Sequence, residues 1–144
     1  MARIDFESSS AEEVYAAIAA MDGDEFDELM EDPASREKVI DALIEHMVGL
    51  FQPEKAGDLE AIIHIKLWDR PGGGYEHFEL RIAGGACTLT EPTDEPDLTL
   101  KVRPSDLRKL VTGETGARRL ALKGRLRAIG DLGLGMRLPD LFRF

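Results

Sequence analysis

The sequence predicts a mixed α+β domain: a five-stranded, largely antiparallel sheet covered on one side by helices, preceded by an acidic helical extension. Three observations carry that expectation. Apolar residues recur at helical spacing through the first fifty positions, change to a period of two from Leu59 to Leu89, and then mark strand, helix, strand and helix between Asp97 and Phe142. Charge is divided along the chain: residues 1–60 hold 17 acidic and 4 basic side chains, whereas residues 101–144 hold 11 basic and 4 acidic ones. At 144 residues with 43% hydrophobic side chains, the chain suits one domain around one core.

The elements follow in order. Ser10-Ala-Glu-Glu13 is a capping box, ahead of a stripe made by Val14, Ala17, Ile18 and Met21. A short helix around Phe26, Leu29 and Met30 follows Gly23. Asp32-Pro33 opens a longer helix whose apolar face runs from Val39 and Ile40 to Val48 and Phe51, with Glu37, Lys38, Asp41 and Glu45 opposite, and Pro53 and Gly57 end it. From Leu59 to Trp68, Leu59, Ala61, Ile63, Ile65 and Leu67 share one strand face and Glu60, His64 and Lys66 the other. Pro71-Gly-Gly-Gly74 turns the chain into a strand marked by Phe78, Leu80 and Ile82, and Gly84-Gly85 turns it into a third around Cys87 and Leu89.

The closing third repeats this logic. Leu98, Leu100 and Val102 alternate with Thr99, Lys101 and Arg103, and Pro104 then opens a helix with Leu107, Leu110 and Val111 inward and Gly113 as its stop. A second strand is expected with Leu122, Leu126 and Ala128 on one side and Lys123, Arg125 and Arg127 on the other, ended by Gly130, after which Asp131 caps the last helix. That last helix is apolar on two sides, Leu132 and Met136 against Leu134, Leu138 and Leu141. Its second side asks for a ligand, another helix or a partner subunit. Gly133 and Gly135 weaken its first turns by about 1 kcal/mol each relative to alanine.

Several function classes find no support in the residues. The glycine runs at 72–74 and 130–135 lack the order of a nucleotide-binding loop and are expected to serve as turns. His46, His64 and His77 have no metal-ligand spacing, although His64 and His77 are placed to meet across the first hairpin. Cys87 alternates with Ala86 and Thr88, the pattern of a packed thiol rather than a nucleophile, and a single cysteine fits a reducing compartment. A net charge of −10 disfavours nucleic acid as partner. Lys123, Arg125 and Arg127 suit either the solvated face of an edge strand or contact with an anionic group. The amino terminus lacks a signal-type apolar region and the carboxyl terminus a peroxisomal tripeptide, so a cytoplasmic protein is expected.

The order of Ser105, Asp106, Leu107, Leu110, Thr112 and Gly113, then Gly124, Leu126, Gly130, Asp131, Gly133, Leu134, Met136 and Leu138, resembles the closing half of the sterol carrier protein type 2 domain. Gly135 stands where that family usually has alanine, Arg125 where lysine is common, and Arg118-Arg119-Leu120 where an aromatic-rich segment precedes the strand. The resemblance covers about residues 36–142, leaving 1–35 as the extension and 36–144 as a lipid-binding domain. It implies a non-enzymatic carrier without cofactor or metal, holding a sterol, fatty acid, fatty acyl-CoA or phospholipid between sheet and helices. Val102, Leu107, Leu110, Val111, Leu126, Leu132, Met136 and Leu138 are the expected cavity lining, and Arg118, Arg119 and Lys123 the expected head-group contacts. The partner classes are an apolar lipid, a membrane surface met transiently and a second copy of the chain. The alternative is an interaction or dimerisation module with a closed cavity, or an accessory to a lipid-metabolising enzyme.

Overall fold

The structure is a computed structural model that describes residues 9–143. The expectation drawn from the first eight residues lies outside it. Four helices come first: α1 (Ala11–Ala19), α2 (Gly23–Leu29), α3 (Pro33–Gly49) and the single turn α4 (Pro53–Ala56). Ser10 and Glu13 make the reciprocal capping box, Asp22 caps α2 through the Glu25 amide, and Asp32 caps α3 through the Ser35 amide. Pro53 opens α4 instead of simply closing α3, because a proline at the first helical position loses no hydrogen bond.

The meander β1 (Ala61–Leu67), β2 (Glu76–Ala83) and β3 (Ala86–Thr90) follows, then β4 (Leu98–Val102), α5 (Pro104–Val111), α6 (Ala117–Leu122), β5 (Leu126–Gly130) and α7 (Leu132–Leu141). Strand order is β3-β2-β1-β4-β5. Three pairings are antiparallel and the central one, β1 with β4, is parallel, with Ile63 opposite Leu98 and Leu67 opposite Val102. The expected strand from Leu122 is shorter than its alternation suggested: Ala117–Leu122 is helical, Gly124 turns with φ +73°, and pairing begins at Leu126. Leu122 therefore stands 82% exposed at the end of α6 rather than on a strand face.

The inward positions of β1, β2 and β4, with Leu126 of β5, feed one core. Ile63, Ile65, Leu80, Ile82, Leu98, Leu100 and Val102 are buried against Ile40, Leu43, Ile44 and Met47 of α3 and against Leu107 and Leu110 of α5. The acidic first two helices belong to the same packing, since Val14, Ile18, Phe26 and Met30 join that cluster. Buried Arg108 fastens them: its Nη1 donates to the carbonyls of Ile18 at 2.9 Å and Met21 at 2.8 Å, at the carboxyl end of α1, and its guanidinium lies 4.6 Å over the Phe26 ring. Buried Arg36 of α3 forks onto Glu76 at 2.7 and 2.9 Å and also donates to the Trp68 carbonyl at 2.9 Å.

The outer sheet face is polar and is organised around Glu79, whose side chain is fully buried. Its carboxylate accepts from Thr90 Oγ1 at 2.7 Å, Arg81 Nε at 2.9 Å, His64 Nε2 at 3.0 Å and the amides of Thr93 and Asp94. Arg81 also pairs with Asp94. Because the carboxylate only accepts, His64 donates from Nε2 and receives the His77 Nε2–H at its Nδ1, 2.8 Å away. The pair expected across the hairpin therefore exists, as part of a buried chain. The Thr90 hydroxyl, followed by His64, the Thr93 amide and Arg81, holds the Glu79 carboxyl down at about 2 against the pull of burial.

Burial also lowers His77, with the nearby His64 and Lys66 adding to it, and lowers His46, which stacks on Tyr15 with centroids 3.5 Å apart. The unfolded chain thus binds protons at these imidazoles before the folded one does, so stability falls as pH drops below the ordinary imidazole value of 6.5. The Glu79 contribution is full above about 4.5 and is lost as pH falls towards about 2. Denaturant melts between pH 8 and 3 should show these two steps, and His46→Phe should flatten only the first.

Candidate functional site

The candidate site is built on the edge strand β5 and its two neighbours, α7 and β4. Asp131 caps α7 by accepting the Leu134 amide at 3.0 Å, and the far end of the helix is tied down four ways. Gln52 N donates to the Leu141 carbonyl, Gln52 Nε2 to the Asp140 carbonyl, Arg143 N to the Leu50 carbonyl, and the Phe51 and Phe142 rings meet edge-on at 5.7 Å. Between these anchors Leu134 and Leu138 are buried in the core, and Gly135 lets the helix approach the sheet at Ala128. A Cβ at Gly135 would lie 3.8 Å from Ala128 Cβ and from Leu98 Cδ1.

The eight expected lining residues divide into two sets. Val102, Leu107, Leu110, Val111, Leu126 and Leu138 are buried in the common core. Leu132 and Met136 are not: they are 64% and 78% exposed, on the side of α7 turned away from Leu134, Leu138 and Leu141. At about 100° per residue, Leu132 is only about 60° round from Gly135, the point where α7 meets Ala128. Ala128 itself is exposed although its strand register puts it on the inward face, opposite Leu100. Where α7 meets β5, Ala128, Leu132 and Met136 thus form an exposed apolar seam.

At the other end of β5 the sheet carries a second feature, an open cavity of about 350 Å³ lined by Trp68, Lys101, Val102, Arg103, Asp106 and, from the turn before and the start of β5, Lys123, Arg125 and Arg127. Lys123 therefore lies in a cationic groove, whereas Arg118 and Arg119 lie on the exposed side of α6 outside that lining, so the expected head-group trio is not one cluster. The composition of the groove escaped sequence reading because its members come from the residue after β1, from β4, the start of α5, the turn at Gly124 and β5. Cys87 is half-buried on the inward face of β3 opposite Ile82, and burial pushes its thiol up to about 11. Among the described residues no group of three or more histidine, cysteine or carboxylate side chains is placed to hold a metal ion.

Comparison with known proteins gives a consistent answer. The model of the SCP-2 sterol transfer family matches residues 44–143. Sterol carrier protein 2 of Oryctolagus cuniculus is 30% identical over 81 residues, which are 56% of this chain but only 15% of that protein. The crystal structure of sterol carrier protein 2 like 2 from Aedes aegypti superposes with a TM-score of 0.59 at 16% identity, covering 74% of this chain and 98% of that one. The palmitated form of the same mosquito protein, solved in solution, gives 0.56 at 17% identity over 68% of this chain and 88% of that one. The stereoselective inverting sec-alkylsulfatase Pisa1 from Pseudomonas sp. gives 0.59 at 14% identity, covering 72% of this chain and 16% of the enzyme. At these identities the structural likenesses establish the fold.

Two measurements check the geometry. Leu138→Ala should cost about 2–4 kcal/mol in denaturant unfolding, while Met136→Ala should stay within about 0.5 kcal/mol. Iodoacetamide should alkylate Cys87 at pH 8 on the order of a hundredfold more slowly in the folded than in the unfolded chain.

Proposed function

The chain belongs to the SCP-2 sterol transfer family, and from that premise we propose that it is a non-enzymatic carrier that takes a long-chain lipid into the seam between α7 and β5. The observation that carries the reading is the uncovered inward position at Ala128, rimmed by Leu132 and Met136, in an α7 fastened at its ends and loosened by Gly133 and Gly135 in between. The lipid tail lies against Leu126, Leu138, Val102 and the α5 residues Leu107, Leu110 and Val111, which give way as α7 lifts. Arg118, Arg119 or Lys123 meets an anionic head. A fatty acid is the favoured ligand, in keeping with the palmitated mosquito protein. In the same reading residues 1–35 and 36–144 work as one unit, held by Arg108, and the lone thiol suits the reducing cytoplasm.

The energetics suit a carrier. Burying a sixteen-carbon chain at about 0.8 kcal/mol per methylene offers roughly 12 kcal/mol gross. Association and ordering take back on the order of 4–15 kcal/mol, which leaves roughly micromolar affinity, loose enough for release. A second reading, in which the domain presents lipid to an enzyme, is favoured by the likeness to one part of Pisa1 and by the 15% share of the rabbit protein that this chain matches.

Mass spectrometry of an organic extract of the purified protein should reveal a recurrent lipid, and palmitate should displace a bound fluorescent fatty acid. Leu132→Asp and Met136→Asp should weaken that binding about tenfold while circular dichroism stays unchanged. A folded protein that binds no long-chain lipid overturns the carrier reading.

A further inference from the structure

We propose that the groove at the Trp68 end of the sheet is a binding site for a phosphate ester that carries a hydroxyl group. Lys66, Lys101 and Arg127 stand directly opposite one another on three adjacent strands of the outer face. Like charges in facing strand positions repel, and this row persists in a chain whose net charge is −10. The aromatic rings beside it, Tyr75 under Lys66 at 4.7 Å and Trp68 under Lys101 at 5.6 Å, favour the cations without neutralising them. Lys123 and Arg125 add two more positive charges from the turn at Gly124.

Internal anions do not balance this set. Arg103 pairs with Asp69 at 3.0 Å, and Arg125 stands 3.6 Å from Asp106. Among the described residues no carboxylate comes within ion-pair distance of Lys101, Lys123 or Arg127. A dianion seated between Lys101, Lys123 and Arg127 would turn that repulsion into attraction. Asp106 supplies the second half of the recognition. It lines the groove, is only 1% exposed, and neither of its oxygens accepts a hydrogen bond. A buried carboxylate in that condition is costly unless a donor reaches it, and a hydroxyl next to the phosphate on the ligand is such a donor. The assignment goes beyond the lipid reading and does not require α7 to open.

The lone tryptophan lies in the groove, so its emission reports occupancy directly. Titration with glycerol 3-phosphate in low salt should change Trp68 fluorescence saturably, with half-saturation below about 1 mM. Lys101→Glu and Arg127→Glu should each weaken this at least tenfold, and both retain stability because an acid then faces a base across the strands. Asp106→Asn should bring glycerol 3-phosphate down to the level of inorganic phosphate. Competition by a monoacyl glycerol 3-phosphate assigns the site to a lipid head group, and its absence assigns it to a free phosphate ester. No saturable response, or a response indifferent to Lys101 and Arg127, overturns the proposal. Binding of the acylated compound that ignores both substitutions overturns the groove while leaving the carrier reading in place.

Discussion

The fold turns on the return of the chain from the meander to the centre of the sheet, and Asp97 is the residue that fixes that return. Its backbone N–H donates to the Ile62 carbonyl at 2.8 Å and its side chain accepts the Ile62 amide at 2.7 Å, which locks the start of β4 beside β1 in parallel register. Its carbonyl accepts the Asp131 amide at 2.8 Å, so the same residue sets the end of β5 and the first turn of α7. Gly130 shows how closely the chains approach here: a Cβ would fall 2.5 Å from the Asp97 oxygen, in a backbone at φ +117° that side chains avoid. The parallel neighbour then places Trp68 against Val102, through the Trp68 amide and the Val102 carbonyl, and so brings Lys101 and the β5 cations to one end of the sheet.

The crossing segment that leads to Asp97 does a second job. The amides of Thr93 and Asp94 close over the buried Glu79 carboxylate, which would otherwise be a charge without enough donors. The outer face is thereby divided. Its β2–β3 side is a network in which Glu79, His64, His77, Arg81, Thr90 and Asp94 are joined to one another. Its β4–β5 side holds cations with few anions, beside the Asp106 carboxylate of α5, which accepts no hydrogen bond. Composition alone does not produce this division, because 17 of the 28 acidic residues lie within residues 1–60 while residues 101–144 hold only four.

Most of the fold was legible because its signals are local. Capping residues at Ser10, Asp32 and Asp131, turn glycines at 72–74 and 84–85, and the switch from helical to alternate spacing each act within a few residues, and each falls where expected. The helix over 117–122 was hidden because Leu122, Leu126 and Ala128 keep a period of two across Gly124, where the chain turns rather than extends. The candidate site was legible by half. Leu132 and Met136 were visible as a second apolar side of α7, and the structure leaves that side open to solvent. The six other lining residues could not be told from core, since a cavity wall and a packed interior share one pattern. The row of Lys66, Lys101 and Arg127 was out of reach because it depends on register between strands far apart in the chain.

Strand β5 serves both features, and its residue choices explain how. As an edge strand it needs protection against pairing with another chain, and Arg127 beside the Lys123 and Arg125 turn supplies charge for that. The same charges shape the groove at one end. On the inward face only Leu126 is buried, while Ala128 and Gly130 are too small to hold α7 down by burial. A larger apolar residue at 128 would press against Gly135 and either displace the helix or close the seam, so the small pair leaves α7 held by its end anchors and by the buried Leu134, Leu138 and Leu141. The strand thus exchanges packing on its inner side for access, and retains its register through Asp97 and the backbone ladder with β4.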